Sequence, residues 1–236
     1  MSATAEIRAI EARYERRRFS GRADRYSPTD PYVIMTEQEK DRVLAYLLRR
    51  SGISRNIAQR TLLEIGCGSG GNLLQFMRLG FRPENLAGNE LLPDRLDAAS
   101  AMLPHGVRLL PGDATGLVLP NNSFDVVCLF TVLSSILDDA FQERLAAKAW
   151  ALTKPGGGIL WYDFIYNNPS NKDVRGVSIP RIRELFPASV ISLKRVTLLP
   201  PLGRVICRLH PGLYRVANAL PLLRSHVLCW LAKPSN

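Results

Sequence analysis

The 236-residue sequence lacks several features that would place it in a specialised class of protein. Its four cysteines are far apart, with no CxxC pair and no Cys/His metal spacing, which argues against a disulfide-stapled or zinc-built fold. No stretch approaches the roughly 20 apolar residues that span a bilayer. The charged N-terminal segment has no signal-peptide pattern. We therefore expect a cytoplasmic protein with reduced thiols.

Acidic residues are scarce in the last third of the chain. From Lys172 onward, eleven lysines and arginines are opposed by two acids, within an overall net charge of +10. This imbalance favours an anionic partner, such as a phosphorylated substrate or the inner surface of an acidic membrane. A solvated basic surface kept for solubility is the alternative that composition leaves open.

Short apolar runs alternate with helical patterns, which predicts an α/β fold with a parallel sheet covered by helices. Hydrophobic residues make up 46% of the chain and charged residues 22%, as expected for a globular protein with a sizeable core. The predicted strands are 61–65, 85–90, 107–110, 124–130, 158–164, 190–198 and 226–232. The predicted helices are 4–18, 36–50, 70–79, 93–103, 139–153 and 179–185.

The order of these elements predicts an N-terminal helical cap over residues 1–55 and a main domain over residues 56–236. Residues 200–225 interrupt the last two strands as an insertion. Within this insertion Val205, Leu209 and Leu213 recur at four-residue steps beside Arg204 and Arg208, which is a basic amphipathic pattern. The insertion is interpreted either as a helical lid over the substrate site or as a lipid-facing surface.

A glycine-rich turn follows the first predicted strand and precedes a helix. Gly66, Gly68 and Gly71 satisfy the G-x-G-x-x-G pattern, so an NAD-dependent oxidoreductase is one candidate. Glu64, however, ends the strand with a carboxylate that would repel a pyrophosphate and attract the sulfonium of S-adenosylmethionine. Glu90 closes the second strand, where it could accept from ribose hydroxyls, and Asp113 follows the third, where it could accept from an adenine amino group.

Five ordered motifs resemble those of the class I S-adenosylmethionine-dependent methyltransferases of type 11. They cover about residues 58–165 and read Glu64-x-Gly66-x-Gly68-x-Gly70, Gly88-Asn89-Glu90, Gly112-Asp113-Ala114, Ser123-Phe124-Asp125-Val126-Val127 and Lys154-Pro155-Gly156-Gly157. The resemblance implies a Rossmann-like, doubly wound sheet of seven strands in the order 3-2-1-4-5-7-6, with the last strand antiparallel. Asn89 departs from the family pattern, which usually has an apolar residue there.

The same resemblance implies S-adenosylmethionine as cofactor and a set of residues that would line it. These are Glu64, Gly66, Gly68, Glu90, Asp113 and Ala114, to which we add the adjoining Cys67, Gly70, Leu91 and Phe130. Aromatic residues of the cap often close over the cofactor in this family. We therefore hypothesise that role for Tyr14, Tyr26 and Tyr32, with packing onto the core as the competing interpretation.

The sequence gives fewer indications of which residues bind or activate the methyl acceptor. Asp163 ends the fifth strand and is our candidate base, and His210 in the insertion is the second candidate. Many small-molecule relatives have histidine where this chain has Ser135. The absence of an N-P-P-aromatic signature after strand four disfavours nucleic acid, and no spaced set of carboxylates supports a metal.

The loop after strand five is rich in amide, hydroxyl and charged groups that would suit a sugar. Its candidate substrate-binding residues are Tyr166, Asn167, Asn168 and Arg175. This loop is also similar, more loosely, to that of bacterial polysaccharide and glycolipid O-methyltransferases. We therefore expect O-methylation of a small or carrier-linked acceptor, with a sugar of a surface glycan, glycolipid or nucleotide sugar favoured. A phenolic or lipid acceptor, an oxidoreductase and a non-catalytic relative of the fold are the alternatives.

Overall fold

Seven strands form one sheet in the computed structural model of the chain, which describes residues 3–18, 27–167 and 171–235. The order β3-β2-β1-β4-β5-β7-β6 confirms the predicted topology. β7 runs antiparallel to β5 and β6, whereas the other pairs are parallel. The strands are β1 (Leu62–Ile65), β2 (Leu86–Glu90), β3 (Arg108–Pro111), β4 (Phe124–Phe130), β5 (Thr153–Phe164), β6 (Val190–Leu198) and β7 (Arg224–Ala232).

Eight α-helices accompany the sheet in the described residues. They are α1 (Ala3–Arg18), α2 (Pro31–Arg50), α3 (Gly71–Arg78), α4 (Pro93–Met102), α5 (Asp139–Leu152), α6 (Ile179–Leu185), α7 (Pro200–Leu209) and α8 (Leu213–Asn218). None of these helices combines the length and the hydropathy needed to cross a membrane.

Helix α2 begins five residues earlier than its apolar pattern predicts. The side chain of Asp30 accepts hydrogen bonds from the backbone N–H groups of Tyr32 and Val33, and Pro31 occupies the first helical position. A capping carboxylate and a proline with a helical φ both favour a helix start, so local chemistry sets this boundary.

The helices divide between the two faces of the sheet because strand side chains alternate in direction. On one face, α1, α5 and α6 pack on residues that include Leu63, Val127 and Ile159. On the other face, α2, α3 and α4 pack on residues that include Leu62 and Val126. Since β1 and β4 are covered on both faces, every one of their side chains is buried, as expected for central parallel strands.

The insertion at 200–225 forms α7, α8 and a short 3-10 helix, and it packs against α2 and β6. Tyr32, Leu198 and Tyr214 form the centre of a small cluster there. Tyr32 donates to the carbonyl of Leu198 at 2.9 Å, and a side chain at Gly203 of α7 would collide with its ring. Tyr32 therefore holds the insertion to the core, which is the packing role rather than the cofactor role considered for it.

A buried carboxylate ties β1, β4 and β5 together at their amino ends. Asp125 accepts hydrogen bonds from Arg60 at 2.8 Å, Lys154 at 2.7 Å and both the backbone N–H and the hydroxyl of Thr61. Burial alone would raise the pKa of Asp125, but the bonds from Lys154, Thr61 and Arg60 outweigh burial and lower the pKa well below its ordinary value.

The substitution Asp125→Asn should lower the free energy of unfolding by about 2 kcal/mol at neutral pH, because it removes the charge that compensates Lys154 and Arg60 and replaces one acceptor oxygen with an amide donor. The lowered pKa means that the wild type has this contribution above about pH 4 and loses it as pH falls further. Urea titrations at pH 7 and pH 3 should therefore give a smaller difference between the two proteins at the lower pH. The control is Asp97→Asn on the exposed side of α4, and an equal effect of both changes would contradict the assignment.

Candidate active site

The turn between β1 and α3 depends on glycines with left-handed backbones. Gly66, Gly68 and Gly70 have φ values of 71°, 58° and 90°, a region that other residues enter at a cost. A Cβ at Gly66 would lie 2.7 Å from the side chain of Val132, and one at Gly68 would overlap the guanidinium of Arg95. Bare backbone is therefore needed at this turn for both conformation and space.

A cleft opens beside this turn at the carboxyl ends of β1, β2 and β4. The space between its walls is about 670 Å³, a volume that includes open solvent at its mouth. The described residues that line it are Ile10, Tyr14, Ile65, Gly66, Asn89, Glu90, Leu91, Arg95, Gly112, Asp113, Ala114, Phe130, Thr131, Val132, Ser135, Ile136, Phe141 and Leu145.

Glu90 organises the backbone at one side of the cleft. Its two carboxylate oxygens accept from the N–H of Gly68 at 2.8 Å and the N–H of Leu92 at 3.0 Å. Each oxygen retains a further lone pair, so Glu90 can fix the glycine turn and still accept from a ligand hydroxyl.

The amide of Asn89 donates to the carbonyls of Leu110 and Gly112 and joins the end of β2 to the exit of β3. This explains why a polar residue is tolerated at a position that is apolar in the family. Asp113 follows on the same loop and accepts from the N–H and the hydroxyl of Thr115, which shapes the short 3-10 helix at Ala114–Gly116.

Glu64 is a fully buried carboxylate with one unused oxygen. Its Oε1 accepts from the side-chain amide of Asn72 at 2.6 Å, whereas Oε2 is buried without a hydrogen-bond partner. Burial raises the pKa of Glu64 to about 7, although the bond from Asn72 and the charge of Lys40 act in the opposite direction. A buried acceptor of this kind is costly unless a ligand donates to it.

The amino-acid end of S-adenosylmethionine carries both an ammonium and a carboxylate, and the turn offers a partner for each. The unused oxygen of Glu64 is suited to the ammonium, and the Arg95 guanidinium beside Gly68 is suited to the carboxylate. The residues present therefore fit this cofactor, with Glu90 available for its ribose hydroxyls.

Helix α1 closes the cleft from above. Ile10 and Tyr14 line it, the Tyr14 hydroxyl lies 3.4 Å from Oγ of Ser135, and the Arg95 guanidinium lies 5.2 Å above the Tyr14 ring. This arrangement agrees with the hypothesis that an aromatic residue of the cap closes over the cofactor region. Tyr26, named with it, lies outside the described residues.

A buried ion pair fixes α1 to the loop after β4. Arg13 and Glu6 are 2.6 Å apart and both almost fully buried. Glu6 also accepts from the N–H of Leu137, and Arg13 donates to the carbonyl of Ser135. Because the two charged groups satisfy backbone groups of the loop, α1 is docked through directional contacts as well as apolar packing.

The cofactor residues expected from the sequence gather at this cleft. Gly66, Glu90, Leu91, Asp113, Ala114 and Phe130 line it, whereas Glu64, Cys67, Gly68 and Gly70 lie in or beside the adjoining turn. Their contacts with cofactor stay predictions. The buried Cys67 thiol has its pKa raised to about 12 by burial and nearby carboxylates, so it is no nucleophile at neutral pH.

The candidate bases are not among the described residues that line the cleft. Asp163 is fully buried and accepts from the N–H groups of Ser134 and Phe164, both at 3.1 Å. Burial raises its pKa to about 7 against these bonds. His210 is exposed between α7 and α8, where Nδ1 accepts from Gly212. Asp163 thus positions the loop that carries Ser135, and a catalytic role for either residue stays a prediction.

The candidate substrate residues of the loop after β5 bind other parts of the chain. Arg195 donates to the Tyr166 hydroxyl at 3.1 Å, Asn167 accepts from the N–H of Gly176, and Arg175 pairs with Asp139. None of the three lines the cleft, and Asn168 lies outside the described residues. Their contact with a substrate stays a prediction.

Several lining residues escaped the sequence reasoning. Phe141 and Leu145 belong to the buried face of α5, and Arg95 follows the capping proline of α4. All three have ordinary helical signatures, and only the approach of α1, α4 and α5 to one sheet edge brings them to the cleft.

Residues 62–157 match the family described as a methyltransferase domain. Together with the fold and this site, the match supports a class I S-adenosylmethionine-dependent methyltransferase, with S-adenosylmethionine as cofactor. This match does not support the oxidoreductase alternative.

Two curated relatives share the domain, and the chain spans about half the length of each. It is 29% identical over 151 residues to the phthiotriol/phenolphthiotriol dimycocerosates methyltransferase of Mycobacterium leprae, covering 62% of this chain and 53% of that one. It is 31% identical over 140 residues to the fatty-acid O-methyltransferase of Mycolicibacterium smegmatis, and the alignment covers 57% of this chain and 49% of that one.

Solved structures agree on the fold. A 1,6-didemethyltoxoflavin-N1-methyltransferase of Burkholderia thailandensis, crystallised with 1,6-didemethyltoxoflavin and S-adenosylhomocysteine, gives a TM-score of 0.63 at 18% identity, covering 99% of this chain and 92% of that one. A methyltransferase of Archaeoglobus fulgidus gives 0.55 at 16% identity, covering 85% and 99%. At these identities the likeness concerns architecture only.

The unpartnered oxygen of Glu64 predicts a pH-dependent affinity for S-adenosylmethionine. The cationic ligand should prefer the ionised carboxylate, so affinity should rise about tenfold between pH 5.5 and pH 7.0 as a group with a pKa of about 7 loses its proton. The ligand's own amino group titrates above this interval. Calorimetry should show the rise in the wild type and a flat profile in Glu64→Gln. The same slope in both proteins would remove Glu64 from the site.

Proposed function

We propose that the chain transfers the methyl group of S-adenosylmethionine to an oxygen of a lipid acceptor. The proposal rests on the apolar part of the cleft lining, which includes Ile10, Ile136, Phe141 and Leu145. A lining of this kind gains free energy by burying an acyl chain and offers little to a polyhydroxylated sugar. The names of the two curated relatives, both of which refer to methyltransferases of lipids or fatty acids, support the same class.

Methyl transfer from a sulfonium is an in-line displacement, and an acceptor that is already ionised needs no base. Among the described residues that line the cleft there is no histidine, and the two carboxylates, Glu90 and Asp113, already shape the cofactor side. A fatty-acid carboxylate suits such a site because its negative charge is compensated by the approaching sulfonium. A lipid hydroxyl is the neighbouring alternative and would require a base.

A sugar acceptor is the alternative that the polar loop after β5 favours. Tyr166, Asn167 and Arg175 do not line the cleft, and each already bonds to another part of the chain. A glycolipid with its lipid part in the cleft would not depend on these three side chains, whereas a nucleotide sugar would.

Incubation with S-adenosylmethionine and palmitate should yield palmitate methyl ester, measured by mass spectrometry, whereas nucleotide sugars should stay unmethylated. Ile10→Ser should raise the KM for palmitate about tenfold, because it removes a buried apolar wall group, and this effect should exceed any loss of affinity for S-adenosylhomocysteine in the same cleft. The matched control is Ile7→Ser, one turn earlier on α1 and outside the lining. Methylation of a nucleotide sugar but not of any lipid would overturn the proposal.

We further propose that the protein works at the cytoplasmic face of an anionic membrane. The α7–α8 surface exposes a run of apolar side chains, with Leu209 76% and Leu222 84% exposed, and Val205, Leu213, Val216 and Leu220 beside them. Arg208 and Arg215 flank them, and no acidic residue follows Glu184 in the chain. Apolar contact together with uncompensated positive charge is the pattern of interfacial binding to acidic lipid.

Flotation with vesicles that contain phosphatidylglycerol should recover the wild type and much less of the double variant Leu209→Glu/Leu222→Glu. Val118→Glu is the matched control, because Val118 is 98% exposed in a loop away from this surface. Each glutamate loses apolar burial and adds repulsion from the acidic bilayer. Equal recovery of both variants would contradict membrane docking, as would a wild-type dimer in solution that the double variant makes monomeric.

A further inference from the structure

A second cleft, here called the basic cleft, lies between α2, β6, α8 and the start of β7. Its volume is about 690 Å³, again including solvent at its mouth. It shares no lining residue with the first cleft, beside the glycine turn, which we call the methyl-transfer cleft. Five of its ten lining residues are cationic: Arg42, Lys194, Arg195, Arg215 and Arg224.

The positive charge of this cleft is not neutralised within the described part of the chain. No salt bridge there involves any of the five cations. Arg224 donates to the carbonyls of Asn218 and Arg195, and Arg195 donates to the Tyr166 hydroxyl, so both guanidinium groups are oriented by neutral acceptors. Arg42 and Arg215 are exposed at the rim. Four arginines held around one cavity form a site for a multiply hydrogen-bonding anion.

The one acidic residue that lines the cleft forms its hydrogen bonds with uncharged groups. Glu39 is buried and accepts from the N–H of Thr197 at 2.9 Å, the Tyr214 hydroxyl at 2.8 Å and the Asn218 side-chain amide at 2.6 Å. All three donors are uncharged. Glu39 therefore orders the floor of the cleft without pairing with any of its cations.

Asn218 adds an observation that is independent of charge. The residue lines the cleft, and its amide nitrogen is oriented by Glu39. Its Oδ1 is buried with no hydrogen-bond partner, in a residue that is only 8% exposed. A buried acceptor without a donor is costly, and a ligand hydroxyl would satisfy it.

We propose that the basic cleft binds a phosphate that carries a neighbouring hydroxyl group, with the arginines around the phosphate and Asn218 accepting from the hydroxyl. Glycerol phosphate has this chemistry, either as the headgroup of an acidic phospholipid or as a free metabolite. Helix α8 supplies Arg215 to the cleft and Val216 to the α7–α8 surface. A bilayer that contacts this surface would therefore present headgroups beside the cleft.

Calorimetric titration with sn-glycerol 3-phosphate tests the site directly and does not depend on methyl transfer. The wild type should bind it, should bind inorganic phosphate more weakly because the hydroxyl is missing, and should not bind glycerol. The double variant Arg42→Gln/Arg215→Gln should lose at least about tenfold in affinity, as expected for removing charge-assisted hydrogen bonds. Unchanged binding of S-adenosylhomocysteine shows that the variant is folded.

The matched control is Arg49→Gln/Arg55→Gln, which removes the same charge from exposed positions outside the cleft. It should bind glycerol 3-phosphate within about twofold of the wild type. No binding by the wild type, or equal losses in the two double variants, would overturn the proposal. Equal affinity for glycerol 3-phosphate and inorganic phosphate would overturn the role of Asn218.

Flotation with vesicles of phosphatidylglycerol in phosphatidylcholine separates the two sources of the phosphate. If Arg42→Gln alone, which leaves Arg215 of the α7–α8 surface in place, loses vesicle binding and the control retains it, the headgroup is the ligand. If both variants float like the wild type while only the titration with glycerol 3-phosphate changes, the ligand is a free phosphorylated metabolite. Either result supports the site.

Discussion

The arrangement at the end of β1 is the constraint on which the rest of the molecule depends. A fully buried carboxylate, Glu64, leads into a turn whose glycines have left-handed backbones, and the carboxylate of Glu90 holds that turn by accepting from the N–H of Gly68. Neither feature favours stability in isolation, because a buried charge loses its hydration and glycine loses more conformational entropy on folding than other residues. Together they form a negatively charged recess beside bare backbone, which is complementary to a cationic amino-acid ligand.

A buried ion pair positions the helix that covers the cleft. Glu6 and Arg13 neutralise each other and satisfy backbone groups of Leu137 and Ser135, so α1 is placed over the cleft in a defined orientation. Ile10 of α1 then lines the cleft together with Phe141 and Leu145 of α5. The proposal of an acceptor with an acyl chain rests on this apolar lining.

The insertion after β6 gives the molecule a second functional region. Tyr32 and Tyr214 anchor it to α2 and β6, and its outward face is apolar and basic. The same anchoring orders the floor of the basic cleft, since Tyr214 and Asn218 both donate to Glu39. Surface docking and anion binding are thus proposed for one structural unit, separate from the methyl-transfer cleft.

Sequence reasoning was most successful where function depends on local order. The strand order was implied by the family resemblance and is confirmed. The glycine turn and the acidic ends of β1 and β2 were predicted because each is encoded by consecutive residues with a distinct pattern. The acceptor side was not predictable in this way. Phe141 and Leu145 have the same helical signature as any core residue, and the polar loop after β5 suggested a sugar site although its described side chains bind the protein itself.

By itself, then, the sequence determined the class of fold, the place of the cofactor turn and the excess of positive charge, since these follow from short-range patterns and composition. Only the tertiary structure decided which side chains share a cavity. Ile10, Arg95 and Leu145, or Arg42 and Arg215, are far apart along the chain, and their meeting depends on how helices pack across sheet edges. Such packing depends on many weak contacts between residues that are distant in sequence, so it cannot be predicted from any single stretch of the chain.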